Sequence, residues 1–141
     1  MFITRATRHD RSDVEKLFVD HEWDRDLLDK GVAFIARDGI VVGTVRMIEV
    51  APQTVVVEDV LVHKDRREEG IGRQLIQAAM NSRGGTLYLC CHDNRLRFYG
   101  HFGFEQLEFD DMPAEVQKFM REETNAWPDS PDHRHYFMKA R

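Results

Sequence analysis

Cysteine and proline are scarce, at two and four in 141 residues. Cys90 and Cys91 are adjacent in an apolar run, so a strand there points them to opposite faces and disfavours a disulfide between them. A disulfide-stapled scaffold is excluded, and a reducing, cytoplasmic compartment fits. No apolar run approaches the roughly 18 residues that a membrane-spanning helix needs, and the first five residues read as the start of a strand, not as a signal peptide. Excess positive charge is lacking too. Twenty Lys and Arg against 25 Asp and Glu leave a net charge of −5 with histidine neutral, and no basic stripe gathers phosphates. This argues against nucleic acid as the main partner, whereas a cationic amine is electrostatically acceptable. Two familiar phosphate-loop patterns, G-x-x-x-x-G-K-[ST] and G-x-G-x-x-G, are absent, as are repeats, low-complexity segments and linkers.

What remains is 42% apolar and 32% charged residues, enough for one domain over residues 1–141 with a proper core. Phe2 to Thr7 alternate as a first strand. Asp10 or Ser12 offers a helix cap, with Ser12 and Glu15 spaced as a capping box before Val14, Leu17 and Phe18. A second short helix is expected over about Glu22 to Asp29, burying Trp23, Leu27 and Leu28 and closing at Gly31. Strands Val32 to Arg37 and Ile40 to Glu49 flank an Asp38-Gly39 turn, a strong hairpin signal. After the break at Ala51-Pro52-Gln53 come a strand from Val55 to Val62 and a helix whose Ile71, Leu75, Ala78 and Ala79 share one face. That helix ends at Ser82-Arg83-Gly84-Gly85. A strand over Thr86 to Cys91, a brief helix near residues 94–101 and a strand over Phe102 to Leu107 follow. A helix over Ala114 to Arg121 starts after Pro113, and a loop containing Pro128 and Pro131 precedes the strand His135 to Lys139. This order reads as a mixed α/β domain, an antiparallel meander followed by a βαβ unit.

The most informative stretch is Arg67-Glu68-Glu69-Gly70-Ile71-Gly72. It joins the β-branched strand to the amphipathic helix by a glycine-punctuated turn, an arrangement that presents unpaired backbone N–H groups to a phosphate. Its R-x-x-G-x-G form resembles the acetyl-CoA loop of the GNAT N-acetyltransferase superfamily. Further along, Phe98-Tyr99-Gly100-His101-Phe102-Gly103-Phe104-Glu105 matches the superfamily's F-Y-x-x-x-G-F-E segment. The intervening helix and strand, and the elements on either side, keep the family order across most of the chain. The resemblance implies the GNAT acyl-CoA N-acyltransferase fold, a mixed central sheet of about seven strands flanked by helices. Two central parallel strands splay apart in that fold, and the pantetheine of the cofactor lies between them.

On this resemblance the backbone of Val60, Leu61 and Val62 faces the pantetheine amides. Arg67, Glu68, Glu69, Gly70, Ile71, Gly72 and Arg73 hold the pyrophosphate through main-chain N–H groups and the helix dipole, with Arg67 adding charge or bracing the loop. Glu68 and Glu69 depart from the pattern, since many relatives carry glycine or basic residues there and carboxylates oppose an anion. His92 stands where many relatives have asparagine or glutamine contacting pantetheine, and Asn94 follows two residues later.

Transfer of an acyl group from a thioester to an amine needs a neutral amine, a donor for the oxyanion and a proton for the departing thiolate. Tyr99 matches the family tyrosine beside the cofactor sulfur. The alternative for it is packing on Phe98 and Phe102. Glu58 shares a strand face with Val60 and Val62 by period-2 geometry and is the candidate base. Its alternative is to fix the sheet or bind a substrate ammonium. The position used by histone-acetylating relatives falls on Val56, while other members share an acidic pair equivalent to Glu58-Asp59. Glu49 and a water relay are rivals. His133 and His135 form H-x-H without a third ligand, which disfavours a metal. Trp23 and Trp127 lie in segments that shape the acceptor pocket in the superfamily. The expectation is an acetyl-CoA-dependent N-acetyltransferase acting on a primary amine of a small molecule or peptide, and a homodimer is compatible with it. The alternative is a non-catalytic CoA-binding regulatory or ligand-sequestering module.

Overall fold

The computed structural model describes residues 1–123 and 134–141. Among the described residues there are seven strands: β1 (Phe2–Arg5), β2 (Val32–Asp38), β3 (Ile40–Ala51), β4 (Thr54–Val62), β5 (Thr86–His92), β6 (Glu105–Leu107) and β7 (His135–Ala140). They form a mixed sheet in the order β1-β2-β3-β4-β5-β7-β6. The α-helices of the described residues are α1 (Arg11–Asp20), α2 (Ile71–Asn81), α3 (Leu96–Gly100) and α4 (Ala114–Glu123). Among the described residues no helix is long and apolar enough to cross a membrane. Two compact units interleave in sequence, one of Met1–Ile48 with Val57–Arg83, the other of Glu49–Val56 with Gly84–Arg141.

In the first unit β1 runs antiparallel to β2, from Phe2 opposite Arg37 to Arg5 opposite Phe34. β2 and β3 form the expected hairpin, turning at Gly39 with φ +75°. α1 inserts Val14, Leu17 and Phe18 into a core with Leu28, Ile35, Val41 and Leu61. α2 buries Ile71, Leu75, Ile76 and Ala79; three of these were expected on the buried face, while Ile76 takes the place of Ala78, which is only partly buried. Gly43 on β3 permits this packing, because a Cβ there would stand 2.9 Å from Leu75 Cδ1 and 3.1 Å from Ile71 Cγ2.

In the second unit the start of β4 pairs in parallel with β5 through Thr54–Thr86, Val55–Leu87 and Val56–Tyr88. β7 runs antiparallel to both β5 and β6. α4 buries Val116, Phe119 and Met120, and the Arg121 guanidinium lies 4.9 Å over the Phe109 ring. Cys91 is buried and its Sγ lies 3.9 Å from Met138 Sδ, whereas Cys90 is only partly buried.

The structure departs from the sequence reading in three further places. No helix forms over Glu22 to Asp29. Glu22 takes φ +57°, the Trp23 N–H returns to Phe18 O at 2.9 Å, and the Asp24 carboxylate accepts the Asp26 N–H at 2.9 Å. These local bonds compete with a helical ladder. Leu27 and Leu28 are buried as expected, but Trp23 is 39% exposed. The capping box forms at Thr7 and Asp10 instead of Ser12 and Glu15: Asp10 Oδ2 accepts the Thr7 N–H at 2.8 Å and Thr7 Oγ1 accepts the His9 N–H at 3.2 Å. Glu15 instead receives Arg11 Nε at 2.8 Å. Finally, β6 is shorter than expected because Phe102 and Gly103 belong to the turn after α3, with Gly103 at φ +89°. Trp127, Pro128, Pro131 and His133 lie outside the described residues.

Gly31 precedes β2 at φ +66°, and a Cβ there would stand 2.1 Å from the backbone oxygen of Met47. Gly31→Ala is therefore expected to cost about 3 kcal/mol in urea unfolding, strain and backbone displacement together. Gly39→Ala, with no heavy atom within 4 Å of its Cβ, should cost only the left-handed strain of about 1 kcal/mol. Equal losses at the two sites would contradict the steric argument.

Candidate active site

β4 leads through a 3-10 turn, Lys64–Arg66, and the glycine loop into α2. Gly70 is the N-cap of α2 at φ +83°, a conformation that a Cβ resists. A cap supplies no side-chain hydrogen bond here, and the first turn of α2 carries no acidic residue. The N–H groups of Ile71, Gly72 and Arg73 precede the first intrahelical bond, Gln74 N–H to Gly70 O at 3.1 Å. Helix termini leave these donors to whatever ligand or solvent lies in front of them. The space around Gly70 is open, with no heavy atom within 4 Å of a Cβ built there. The loop thus fits an anionic group held by main-chain donors.

Side chains brace the loop from behind. Arg67 Nε donates to Val62 O at 3.2 Å, so Arg67 ties the loop to its own strand. Arg66 Nε donates to both Glu69 carboxylate oxygens at 2.9 and 3.1 Å, and its Nη1 reaches Asp38 Oδ2 at 3.0 Å. Glu69 is therefore ion-paired. Glu68 is exposed and takes φ +68°, a left-handed conformation whose Cβ is strained. The turn before the loop is tethered to α1 as well. His21 Nδ1 donates to Leu17 O at 2.8 Å, and its Nε2 accepts the Lys64 N–H at 2.9 Å. His63 Nδ1 accepts the Asp65 N–H at 3.1 Å, and the two imidazoles meet edge to face at 5.0 Å.

Upstream on β4, Glu58 and Asp59 are partly buried, as are Val60 and Val62, while Leu61 is fully buried. Asp59 has φ +54° inside the strand. Burial pushes the Glu58 carboxyl up to about 8, the charge of Asp59 adds to this, and the Asp59 backbone N–H opposes it. Burial likewise raises Asp59 to about 6 against the attraction of Arg46, with Asp24 adding repulsion. Glu49, the rival base, is exposed near the end of β3.

The second unit carries the other candidates. Tyr99 on α3 is 7% exposed, and its ring packs edge to face on Phe98 at 5.0 Å and Phe104 at 5.8 Å. Phe102 contacts Phe98 instead, at 5.4 Å. His92 ends β5 and Asn94 follows in a 3-10 turn, both exposed. The His92 ring lies 4.7 Å from that of His135, its register partner on β7. Among the described residues no group of three or more His, Cys, Asp or Glu is placed to hold a metal ion.

The first unit also has a recess of about 420 Å³ lined by Arg11, Glu15, Trp23, Asp24, Arg25 and Asp26. It is made by the segment that fails to become a helix, and Arg11 stiffens its rim by pairing with Glu15 and Asp29.

Sequence reasoning missed Arg46, Arg66 and Gly43. Arg66 and Glu69 at i, i+3 were a readable local signal. Arg46 was visible as the only cation in the run from Ile40 to Val50. Nothing local announced Asp38, which is 28 residues from Arg66.

A family model described as an acetyltransferase (GNAT) domain matches residues 29–106. Among solved structures the chain is similar to an acetyltransferase of the GNAT family from Staphylococcus aureus, with 18% identity, 96% of each chain covered and a TM-score of 0.68. It is similar to a Mycobacterium tuberculosis protein in complex with CoA, with 16% identity, 99% of this chain and 98% of that one covered and a TM-score of 0.72. It also resembles an aminoglycoside 6'-N-acetyltransferase complexed with coenzyme A, with 17% identity, coverage of 99% and 96% and a TM-score of 0.71. No curated protein matches the chain.

Two stability measurements probe this geometry. Glu68→Gly removes left-handed strain at φ +68° and should raise unfolding stability by about 1 kcal/mol; a loss in urea denaturation would contradict the loop conformation. The folded chain holds the Glu58 proton up to about pH 8, whereas an ordinary glutamate releases it near 4.5. Between these values the folded state binds more protons, so this group's contribution to stability declines as pH rises. Glu58→Gln should therefore exceed the unaltered protein by more than about 1 kcal/mol at pH 9 and lose that advantage near pH 5.

Proposed function

The chain belongs to the GNAT acetyltransferase family, and from that premise we propose that it transfers the acetyl group of acetyl-CoA to a primary amine by direct attack in a ternary complex. The observation that carries this reading is the uncapped N-terminus of α2 behind the left-handed Gly70. It fits the pyrophosphate of CoA, the ligand named for two of the similar structures. In this reading Gly70, Ile71, Gly72 and Arg73 bind through the main chain. Arg67 and Glu69 shape the loop, and Glu68 points to solvent. Val60, Leu61 and Val62 offer backbone groups to the pantetheine, with His92 and Asn94 as further polar contacts.

Glu58 is the base. A carboxylate raised to about 8 is better matched to an alkylammonium than an ordinary glutamate, and a closer match favours general-base catalysis. It takes a proton from the ammonium, directly or through water. The freed amine attacks the thioester carbonyl, the C–S bond breaks as Tyr99 gives its phenolic proton to the departing CoA thiolate, and the second proton shed by the acylated nitrogen returns through solvent to the Tyr99 phenolate. The products are an N-acetyl amide and CoA. The recess beside Trp23, Asp24 and Asp26 supports an acceptor site with room for the rest of the amine. We take residues 1–141 as one N-acetyltransferase domain, and the two thiols in an apolar strand support a reducing, cytoplasmic setting.

Isothermal titration with acetyl-CoA should give saturable micromolar binding, and absence of binding at millimolar concentration would overturn the proposal. With an amine acceptor found by thiol release, Tyr99→Phe and Glu58→Gln should each lower turnover by about 100-fold, leaving acetyl-CoA affinity within about threefold. The unaltered rate should climb with pH and level off above about 8 as Glu58 ionises. Tight binding without turnover on any amine, with both variants indistinguishable from the unaltered chain, would point to a CoA-binding regulatory module.

A further inference from the structure

Beneath the acidic pair of β4 lies a cation. Arg46 on β3 is 6% exposed, and its Nη1 donates to Lys30 O at 2.7 Å. Its Nε stands 3.7 Å from Asp59 Oδ2. Both of these atoms are buried without a hydrogen-bond partner among the described residues. The side chains are 8% and 13% exposed, so the two charges attract through a poorly solvating medium in which an ion left alone is costly.

Asp59 is also the residue at φ +54° in the middle of a strand. A residue with a Cβ keeps such a conformation only where its surroundings over-determine it, and it re-aims the side chains next to it. Arg46 is the partner that rewards this conformation, since its Nη1 is anchored on the far side by the Lys30 carbonyl. Glu58 is bonded directly to Asp59 in the chain, so what fixes Asp59 also fixes where Glu58 begins and which charge it faces.

We propose that Arg46 is a positioning residue for Glu58, acting through Asp59: it holds that residue left-handed and ionised beside the candidate base. The inference rests on the reading of Glu58 as the base. The groups that bear on the pair come from four elements: Glu58 and Asp59 on β4, Arg46 on β3, Asp24 and Asp29 in the segment between α1 and β2, and Arg11 on α1. Asp29 supports the charge of Arg46 and Arg11 opposes it. Asp24 carries the same sign as Asp59, so Arg46 supplies the attraction that keeps Asp59 charged. The charge of Asp59 in turn holds the Glu58 proton more tightly.

The test titrates the side-chain carboxyl carbons of Glu58 and Asp59 by carbon NMR in the full chain, which requires no acceptor. Arg46→Met should move the Asp59 midpoint up by at least about one pH unit, and Arg46→Lys should restore most of it. Asp59→Asn should lower the Glu58 midpoint by at least about half a unit. Acetyl-CoA affinity should stay within about threefold in all three, because the phosphate loop is braced by Arg66 and Arg67. Unchanged Glu58 and Asp59 midpoints in folded Arg46→Met would overturn the proposal. If that variant does not fold, an unshifted Glu58 in Asp59→Asn would do the same. Glu58→Gln with full turnover would instead remove Glu58 as the base, an outcome distinct from the carboxyl titrations.

Discussion

The N-terminus of α2 is the constraint on which the rest of this chain depends. A helix presents its first N–H groups outward only if its axis is held, and here the hold is steric. Ile71, Leu75, Ile76 and Ala79 are buried, and the missing side chain at Gly43 lets Leu75 and Ile71 come down on β3. Burying such a stripe is worth roughly 1.5–3 kcal/mol for each large side chain, far more than the exposed ion pairs of Arg66, which contribute at most about 1 kcal/mol each. Packing therefore places the helix, and Arg66 and Arg67 only shape the loop in front of it. The direction of the donors therefore follows from the core.

The first unit is strained where chemistry is assigned to it. Among the described residues Glu22, Asp59 and Glu68 of this unit have positive φ, as does Gln53 of the second. Two of these flank the route from the candidate base to the phosphate loop, and each costs about 1–2 kcal/mol. Nearby, Arg46 is kept from its normal basicity by burial, while Glu58 and Asp59 are both raised by it. An apolar replacement of similar volume would relieve all of these costs. Their persistence next to one another is what a site requires when it needs a carboxylate that is reluctant to ionise.

Much of the fold was legible because its signals are local. Asp38-Gly39 turned the hairpin, the i, i+4 stripe made α2, and R-x-x-G-x-G with F-Y-x-x-x-G-F-E placed the loop and Tyr99 in family order. The failures share a cause. Residues 22–29 have acceptable helix composition, but a residue at positive φ and an Asx turn at Asp24 gave the backbone other partners. Ser12 and Glu15 have the spacing of a capping box, yet Thr7 and Asp10 reached the backbone first. Arg46 depends on Asp59 thirteen residues away and Arg66 on Asp38 across the hairpin, and such pairings arise only once the strands are in register. Glu58 was picked out by strand periodicity and by the acidic pair that the family resemblance implies. The left-handed Asp59 beside it, which governs its surroundings, leaves no trace in the pattern of side chains.

The two acidic residues in the phosphate loop show how these levels combine. By composition, Glu68 and Glu69 oppose an anion. In the structure Glu69 is drawn to Arg66, and Glu68 is exposed, where salt screens charge over about 8 Å. In the proposed phosphate site the N–H groups of Ile71, Gly72 and Arg73 would act at contact distance instead, where a ligand displaces water and the interaction strengthens as the local dielectric falls. A screened carboxylate in solvent weighs less than several donors in contact. Loop shape then decides whether an anion binds, and the side-chain charges adjust how tightly. The same reasoning makes Glu68 a residue whose backbone strain matters more than its charge.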